Sequence, residues 1–324
     1  MRETTLRTHT VILLTTLFSG ATCTQLHAAQ PADEATTAEQ VDAAIRNSDY
    51  ELALRKAMEG LESASQSNGG NSADAGAMLE RIGQIQNILG RYEESEAAFR
   101  KSIAAYAAAF GSDHRATVRV SGALADMLMT LGRVEDATTV TVETLRVQEQ
   151  ALGNMHPELM PTLGRLAGLR RANGRFDEAI AAYERLLSLQ ERSLAPRHPD
   201  IISTITALGQ IHREQGNYEQ AEPYYRRLLD FAEETVKKRH PLLAQAQSDL
   251  ADIYRSMGRF EEAEKLYLAA LDFHDWVQGE DPGRAQVLQS LAILYRQWGK
   301  PAKQAEYERR AENERAPSLG QTTQ

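Results

Sequence analysis

The 324-residue chain has very little of what several classes of protein require. Its only cysteine is Cys23, so an intramolecular disulfide or a cysteine-pair redox centre is excluded. No Gly-rich phosphate loop, His-Glu-x-x-His motif or nucleophile elbow occurs. The sequence therefore predicts no catalytic residues, no cofactor and no metal, and we expect a protein without enzymatic activity.

Excess positive charge and long apolar runs are also lacking. The formal net charge is −9, which argues against wholesale binding of nucleic acid or an anionic membrane. The apolar run Val11–Phe18 near the beginning of the chain is too short to span a bilayer. We therefore expect no nucleic-acid partner and no transmembrane span in the mature chain.

The beginning of the chain has the pattern of an export signal. Arg2 and Arg7 precede the apolar run, and small residues follow as far as Ala29. We expect cleavage between Cys23 and Ala29, after Ala28 or Ala29, and location in a bacterial periplasm. Lipidation at Cys23 and an uncleaved disordered leader are the alternatives.

A helical hairpin between Leu250 and Leu271 is the clearest local pattern. Leu250, Ile253, Tyr254 and Met257 have the spacing i, i+3, i+4 and i+7, which predicts one apolar stripe of an α-helix. A glycine follows directly, as expected at a helix C-terminus. A second apolar stripe then comes from Phe260, Ala263, Tyr267 and Leu271.

This hairpin recurs along the chain. The turn glycines are 42 residues apart, the last interval being 41: Gly90, Gly132, Gly174, Gly216, Gly258 and Gly299. A second series has the same period, namely His114, His156, His198 and His240, with Asp281 in the last repeat. Copies a whole repeat apart lie too far from one another to share a metal ion, so we interpret this series as loop structure.

The repeats and the composition divide the chain into six segments. We predict a signal peptide at 1–29, a flexible leader at 30–36, a degenerate N-terminal helix pair at 37–64, a linker at 65–73, a tandem array at 74–312 and a disordered tail at 313–324. Neither helix of a pair can bury its stripe alone, so the copies must stack.

The motif Gly-Arg-Phe-Glu-Glu-Ala-Glu-x-x-Tyr at 258–267 resembles the tetratricopeptide repeat (TPR). The 42-residue period and the Leu-Gly-Asn-Met-His-Pro loop at 152–157 are similar to the kinesin-light-chain-like subtype. The resemblance covers about residues 74–312 and departs from the pattern at Val134 and Thr141. It implies an all-α fold, a right-handed α-solenoid of antiparallel helix pairs, whose inner groove binds extended peptides or protein segments.

One polar position on the first helix of each pair suggests where a partner binds. It holds arginine in four consecutive repeats and lies opposite the apolar stripe. Arginine binds carboxylates with two parallel hydrogen bonds. We expect a groove that binds an extended, acidic protein or peptide partner and is lined by Arg171, Arg213, Arg255, Arg296, Gln210, Asp252 and Ser248. The alternative is that each arginine is solvated or pairs locally.

These observations predict a non-enzymatic scaffold for protein–protein interaction. A ligand-responsive regulatory or sensor module is the alternative, and an enzyme with a site in the groove is a remote one. The sequence specifies no oligomeric state.

Overall fold

A computed structural model of the chain describes residues 36–236, 239–277 and 281–315, with only the backbone of Arg315. The predicted signal peptide, most of the leader and residues 316–324 of the predicted tail lie outside the described residues. The region from Thr37 onward forms one compact unit.

Fourteen α-helices make up the described part of this unit, which contains no β-strand, and each helix packs mainly on the next one along the chain. Odd-numbered helices are the first members of the pairs and even-numbered helices the second. A single 3-10 turn, Pro157–Leu159, precedes α7. The helices are α1 (Thr37–Arg46), α2 (Tyr50–Asn68), α3 (Ala73–Ile88), α4 (Tyr92–Phe110), α5 (Arg115–Thr130), α6 (Val134–Leu152), α7 (Met160–Ala172), α8 (Phe176–Ser193), α9 (Pro199–Glu214), α10 (Tyr218–Thr235), α11 (Pro241–Ser256), α12 (Phe260–Trp276), α13 (Pro282–Gln297) and α14 (Pro301–Arg315).

In the six pairs from α3 to α14, a glycine closes the turn within the pair, whereas Ser48 takes positive φ in the turn between α1 and α2. Gly258 has φ = +74°, and the next amide, Arg259 N, donates to Tyr254 O at 2.8 Å. Gly258 N donates to Arg255 O at 3.1 Å, which completes the hydrogen bonds of a Schellman motif. Any side chain would be strained at this positive φ, which explains why glycine recurs here.

Each histidine of the 42-residue series lies at the N-cap of the helix that follows it. His198 Nδ1 accepts a hydrogen bond from Asp200 N at 3.2 Å, in the manner of an N-cap. In the last repeat the Asp281 carboxylate accepts from Gly283 N at 2.9 Å. The interpretation as loop structure is confirmed and becomes specific, because the same cap is made by His114, His156 and His240.

The predicted apolar stripes form the core. Leu250, Ile253, Tyr254 and Tyr267 are all buried in one cluster that continues through the last three pairs. Met257 and Phe260 pack at its edge and are half-buried.

The N-terminal helix pair packs against the array. Val41 and Ala53 share a core with Ile82 and Ile85 of α3. A bidentate ion pair adds to this contact, with Arg81 Nε 3.1 Å from Asp42 Oδ1 and Arg81 Nη2 3.2 Å from Asp42 Oδ2.

The helix bounds differ from the predicted segment limits at three points. The linker does not begin at Ser65, because α2 continues to Asn68, and it ends before Ala73, where α3 begins. Polar side chains in this last turn bond within the helix instead of breaking it, as in Ser67 Oγ to Ser63 O at 2.9 Å. At the other end, α14 extends to Arg315, beyond the predicted limit at 312.

Candidate partner-binding site

Arg255 is held inside its own repeat. Its Nη2 donates to Asp252 Oδ1 at 3.1 Å and its Nε to Tyr267 Oη at 3.2 Å. The Tyr267 hydroxyl also donates to Asp252, and burial, followed by the negative charge of Asp252, raises the pKa of Tyr267. Arg255 reaches the next repeat through Gln297 Oε1 at 3.4 Å. Asp252 is therefore already occupied by internal donors.

Arg171 is held by the following repeat. Its Nη1 donates to Gln210 Oε1 at 3.2 Å, and its Nη2 lies 2.5 Å from Glu214 Oε1. Both acceptors belong to α9, so this arginine connects two neighbouring first helices. Gln210, a predicted groove residue, thus has an intramolecular role.

The other two predicted arginines have no carboxylate within ion-pair distance in the described part of the chain. The Arg213 guanidinium lies over the Tyr225 ring, 5.8 Å from its centroid. Burial raises the pKa of Tyr225, and its buried hydroxyl has no hydrogen-bond partner among the described residues. Arg296 is exposed on α13. Neither arginine forms an ion pair within the described ranges, and the charge of Arg213 acts on Asp249 only over a longer distance, where it opposes the rise in that carboxyl's pKa.

The predicted groove residues thus lie on successive first helices but do not form one uniform series. Arg171 and Arg255 form ion pairs, whereas Arg213 and Arg296 form none with the described residues. Ser248 is half-buried on α11, four residues before Asp252. We call the side of the first helices that carries these residues the first-helix face.

A cavity of about 990 Å³ opens between the N-terminal halves of α5, α7 and α9. Gly164 lies in its wall on α7, seven residues before Arg171, which is two helical turns along the same face. The cavity wall and the first arginine of the series therefore lie on the same face of α7. Its apolar lining includes Val118, Met160, Tyr183 and Leu186.

Two glutamines that the sequence analysis did not single out line this cavity. Gln148 is buried, and its amide is satisfied by Thr162 Oγ1, at 2.7 Å, and by Glu158 O, at 3.2 Å. Gln190 is the same position one repeat later and is only 5% exposed, yet its Oε1 has no hydrogen-bond partner among the described residues. The sequence did contain one indication of this site. Gln148 and Gln190 are 42 residues apart, at a repeat position where other repeats have Tyr106 or Ala232.

Charged side chains of both signs line the cavity. Arginines 115, 119 and 165 and the acidic residues Asp113, Glu158 and Asp200 all line it. Arg165 is neutralised by Asp126, with Nε and Oδ1 2.7 Å apart, and Arg119 contacts Glu80. Two of the three lining arginines are thus paired with carboxylates outside the lining. The cavity therefore offers apolar surface and amide groups and no excess of positive charge.

Profiles of the tetratricopeptide repeat match the chain at residues 74–150, 158–234 and 242–313, and a second one matches residues 206–275. The chain belongs to the tetratricopeptide repeat family. TPR proteins are generally non-enzymatic scaffolds for protein–protein interaction, and this is the class of function that the TPR array indicates.

Solved structures support the same fold. Nearly identical TPR-like repeats assigned to a kinesin light chain of Podosopora anserina are 21% identical, with a TM-score of 0.52, and cover 62% of this chain and 95% of their own. BtubC (BKLC) from P. vanneervenii is 16% identical, with a TM-score of 0.55, and covers 77% of this chain and 95% of its own. No curated protein matches the chain. The predicted all-α solenoid of kinesin-light-chain-like TPR pairs is confirmed.

His212 lies outside the first-helix face and has a structural role. His212 stacks on Tyr224 at 5.7 Å between ring centroids, and burial lowers its pKa, so the ring is neutral between α9 and α10. Within the described ranges, no three His, Cys, Asp or Glu side chains converge as metal ligands would. The same ranges contain no helix with the length and hydrophobicity needed to cross a bilayer.

Proposed function

We propose that this TPR protein is a non-enzymatic scaffold that binds an extended segment of a partner protein along the first-helix face. The observation that carries the proposal is that the cavity wall and the arginine series share the first-helix face, with Gly164 and Arg171 two turns apart on α7. A surface of this kind can bind several consecutive residues of an extended chain.

The free charges favour an acidic segment at the arginine end of the face. Arg213 and Arg296 have no ion-pair partner in the described part of the chain, whereas Arg171 and Arg255 do. A carboxylate of the partner that meets Arg213 or Arg296 would displace no internal ion pair. A charge-assisted hydrogen bond of this kind contributes about 1.5–3 kcal/mol.

The proposal is tested by affinity capture from the host with a variant in which Arg171, Arg213, Arg255 and Arg296 are all alanine. The control removes the same charge from four exposed arginines of second helices: Arg100, Arg146, Arg192 and Arg227. We expect quantitative mass spectrometry to find partners that the wild type and the control retain and the first variant loses. Equal recovery with all three proteins would overturn the proposal.

We also propose that the partner is met outside the cytoplasm, because the first 29 residues have the pattern of an export signal. Mass spectrometry of the mature protein from its host tests this directly. We expect a new N-terminus between residues 23 and 30, and an intact Met1 would contradict export with cleavage.

A further inference from the structure

Gln190 lines the cavity, and its side-chain Oε1 is buried without a hydrogen-bond partner among the described residues. Its repeat equivalent, Gln148, is paired with Thr162, whereas the matching threonine, Thr204, donates instead to Asp200 O at 3.0 Å. Among the residues that the structure describes, Gln190 Oε1 consequently has no hydrogen-bond partner, and the residue is only 5% exposed. An unpaired polar atom at such a depth is unfavourable, and a bound donor would remove this cost.

Small residues create the cavity. Gly164, Ser203 and Ala207 lie in its wall. One repeat later, Ser203 and Ala207 are replaced by Gln245 and Asp249, which bond to each other at 3.0 Å. Towards the preceding repeat, the side chain of Arg165 lies over Gly122, where an added Cβ would be 2.9 Å from its guanidinium carbon. Larger side chains therefore occupy the equivalent space in the neighbouring repeats, and the cavity is confined to the region between α5, α7 and α9.

We propose that this cavity anchors an uncharged, apolar stretch of the partner segment, one of whose backbone amides pairs with the Gln190 side chain. This inference rests on the proposed function and specifies the part of the segment that binds here. A glutamine amide has one acceptor and one donor group, which match the N–H and C=O of a peptide unit.

The rest of the lining agrees with such an occupant. The walls formed by Val118, Met160 and Leu186 provide apolar contact. Two of the three lining arginines are already paired with Asp126 and Glu80, so the cavity has no excess positive charge that would favour an acidic occupant. The volume of about 990 Å³ lies at the upper end of the range for pockets that bury most of their ligand.

A phage-displayed library of random dodecapeptides, selected on the immobilised full chain, provides the probe. We expect the enriched peptides to share a short run of uncharged apolar residues. Their affinities are then measured by fluorescence polarisation against the wild type and two variants, with folding checked by circular dichroism.

Gly164→Trp is the variant that fills the cavity. A Cβ at Gly164 would meet only Leu186 Cδ2, at an ordinary 3.5 Å, so the indole can extend into the open space. We expect binding to fall at least about tenfold, which corresponds to roughly 1.4 kcal/mol. Ala181→Trp on the exposed surface of α8 adds the same side chain elsewhere and should leave binding unchanged.

Gln190→Met tests the amide pairing. It keeps the length and apolar body of the side chain, and we expect about a fivefold loss, as for one neutral hydrogen bond. N-methylation of each peptide amide in turn should weaken binding to the wild type at one position. At that position it should have little further effect on Gln190→Met, because the hydrogen bond is already absent.

Peptides that bind Gly164→Trp as well as the wild type would overturn this inference. The same holds for enriched peptides without an apolar run and for N-methyl effects that do not depend on Gln190. If such peptides lose affinity for Arg213→Ala or Arg296→Ala, the proposed function stands without the cavity. If no peptide is enriched over a blank surface, the proposed function and this inference both fail.

Discussion

Arg171 donates to Glu214 across the boundary between two repeats, and the Nη2 and Oε1 atoms lie 2.5 Å apart. Arg213, the neighbour of Glu214 in sequence, has no carboxylate of its own within ion-pair distance in the described part of the chain. The Glu214 carboxylate, next to Arg213 in sequence, is therefore paired with Arg171 of the preceding repeat. Equivalent arginines of the series consequently differ in the charge they leave for a partner.

This difference predicts unequal effects of single substitutions. Arg213→Ala and Arg296→Ala should each weaken partner binding by about 1.5–3 kcal/mol, because each removes a charged contact to the partner. Arg171→Ala should have a smaller effect, since its guanidinium already serves Gln210 and Glu214. Isothermal titration with the captured partner measures all three. Losses of equal size would show that the internal ion pairs do not restrict partner binding.

Glu214→Gln should change stability and binding in opposite directions. The Arg171–Glu214 pair is partly exposed, with side chains 28% and 42% accessible, so its loss should cost under about 1 kcal/mol of unfolding free energy. The variant frees Arg171 and removes a competing carboxylate, and an acidic partner should bind more tightly. Urea unfolding and titration of the same preparation provide both values. Weaker partner binding would contradict the proposed acidic segment.

The histidine caps should be replaceable by aspartate. His198→Ala removes the acceptor for Asp200 N and should destabilise α9 by about 1 kcal/mol, as other lost N-caps do. His198→Asp should retain the stability, because Asp281 makes the same cap in the last repeat. Hydrogen exchange in the first turn of α9 is the measurement. Equal protection in the alanine variant and the wild type would exclude a capping role.

The fold was predictable because its determinants are local and repeated. The stripe from Leu250 to Met257 and the glycine at 258 specify a helix, its buried side and its end, and the 42-residue period carries them along the chain. The boundary at Ser65 was missed because a run of polar residues is also compatible with a final helical turn when its side chains bond within the helix.

The site was less predictable, because it depends on pairs of side chains in different repeats. The period places Arg171 and Arg213 at equivalent positions, yet it says nothing about whether Gln210 and Glu214 reach one of them. The cavity also needed coordinates, since it results from several small residues on different helices facing one another. Gln190 has a distinct role only because Thr204 turns to a different acceptor.

Removing the charge of Asp249 and removing that of Glu222 should change the unfolding free energy at pH 7 in opposite directions. Burial raises the pKa of Asp249, whereas at Glu222 the hydrogen bonds from Arg259 and Arg226 outweigh burial and lower the pKa. A raised pKa in the folded state means that ionisation disfavours folding, so Asp249→Asn should be more stable than the wild type at pH 7.

For Asp249, the difference should vanish at pH values below the ordinary aspartate pKa of about 3.9, where both states are protonated. Glu222→Gln should be less stable than the wild type at pH 7, and that loss should shrink as the pH falls through the lowered pKa of Glu222. Urea unfolding of both variants between pH 3 and 7 separates the two cases. If the stability of both variants relative to the wild type changed in the same direction with pH, the opposite pKa shifts of Asp249 and Glu222 would be contradicted.

Leu208→Ala should loosen the array locally before it unfolds the whole. Leu208 is fully buried in a cluster with Leu187, Ile201 and Ile205, and its truncation should cost about 2–5 kcal/mol. In a repeat array each pair is stabilised mainly by its neighbours, so protection in α8, α9 and α10 should fall first while α13 and α14 keep theirs. Leu242→Ala, at a side chain 42% exposed, is the matched control and should change stability by under about 0.5 kcal/mol. Hydrogen exchange measured by mass spectrometry resolves these segments, and a uniform loss across all helices would show that the array unfolds as a single cooperative unit.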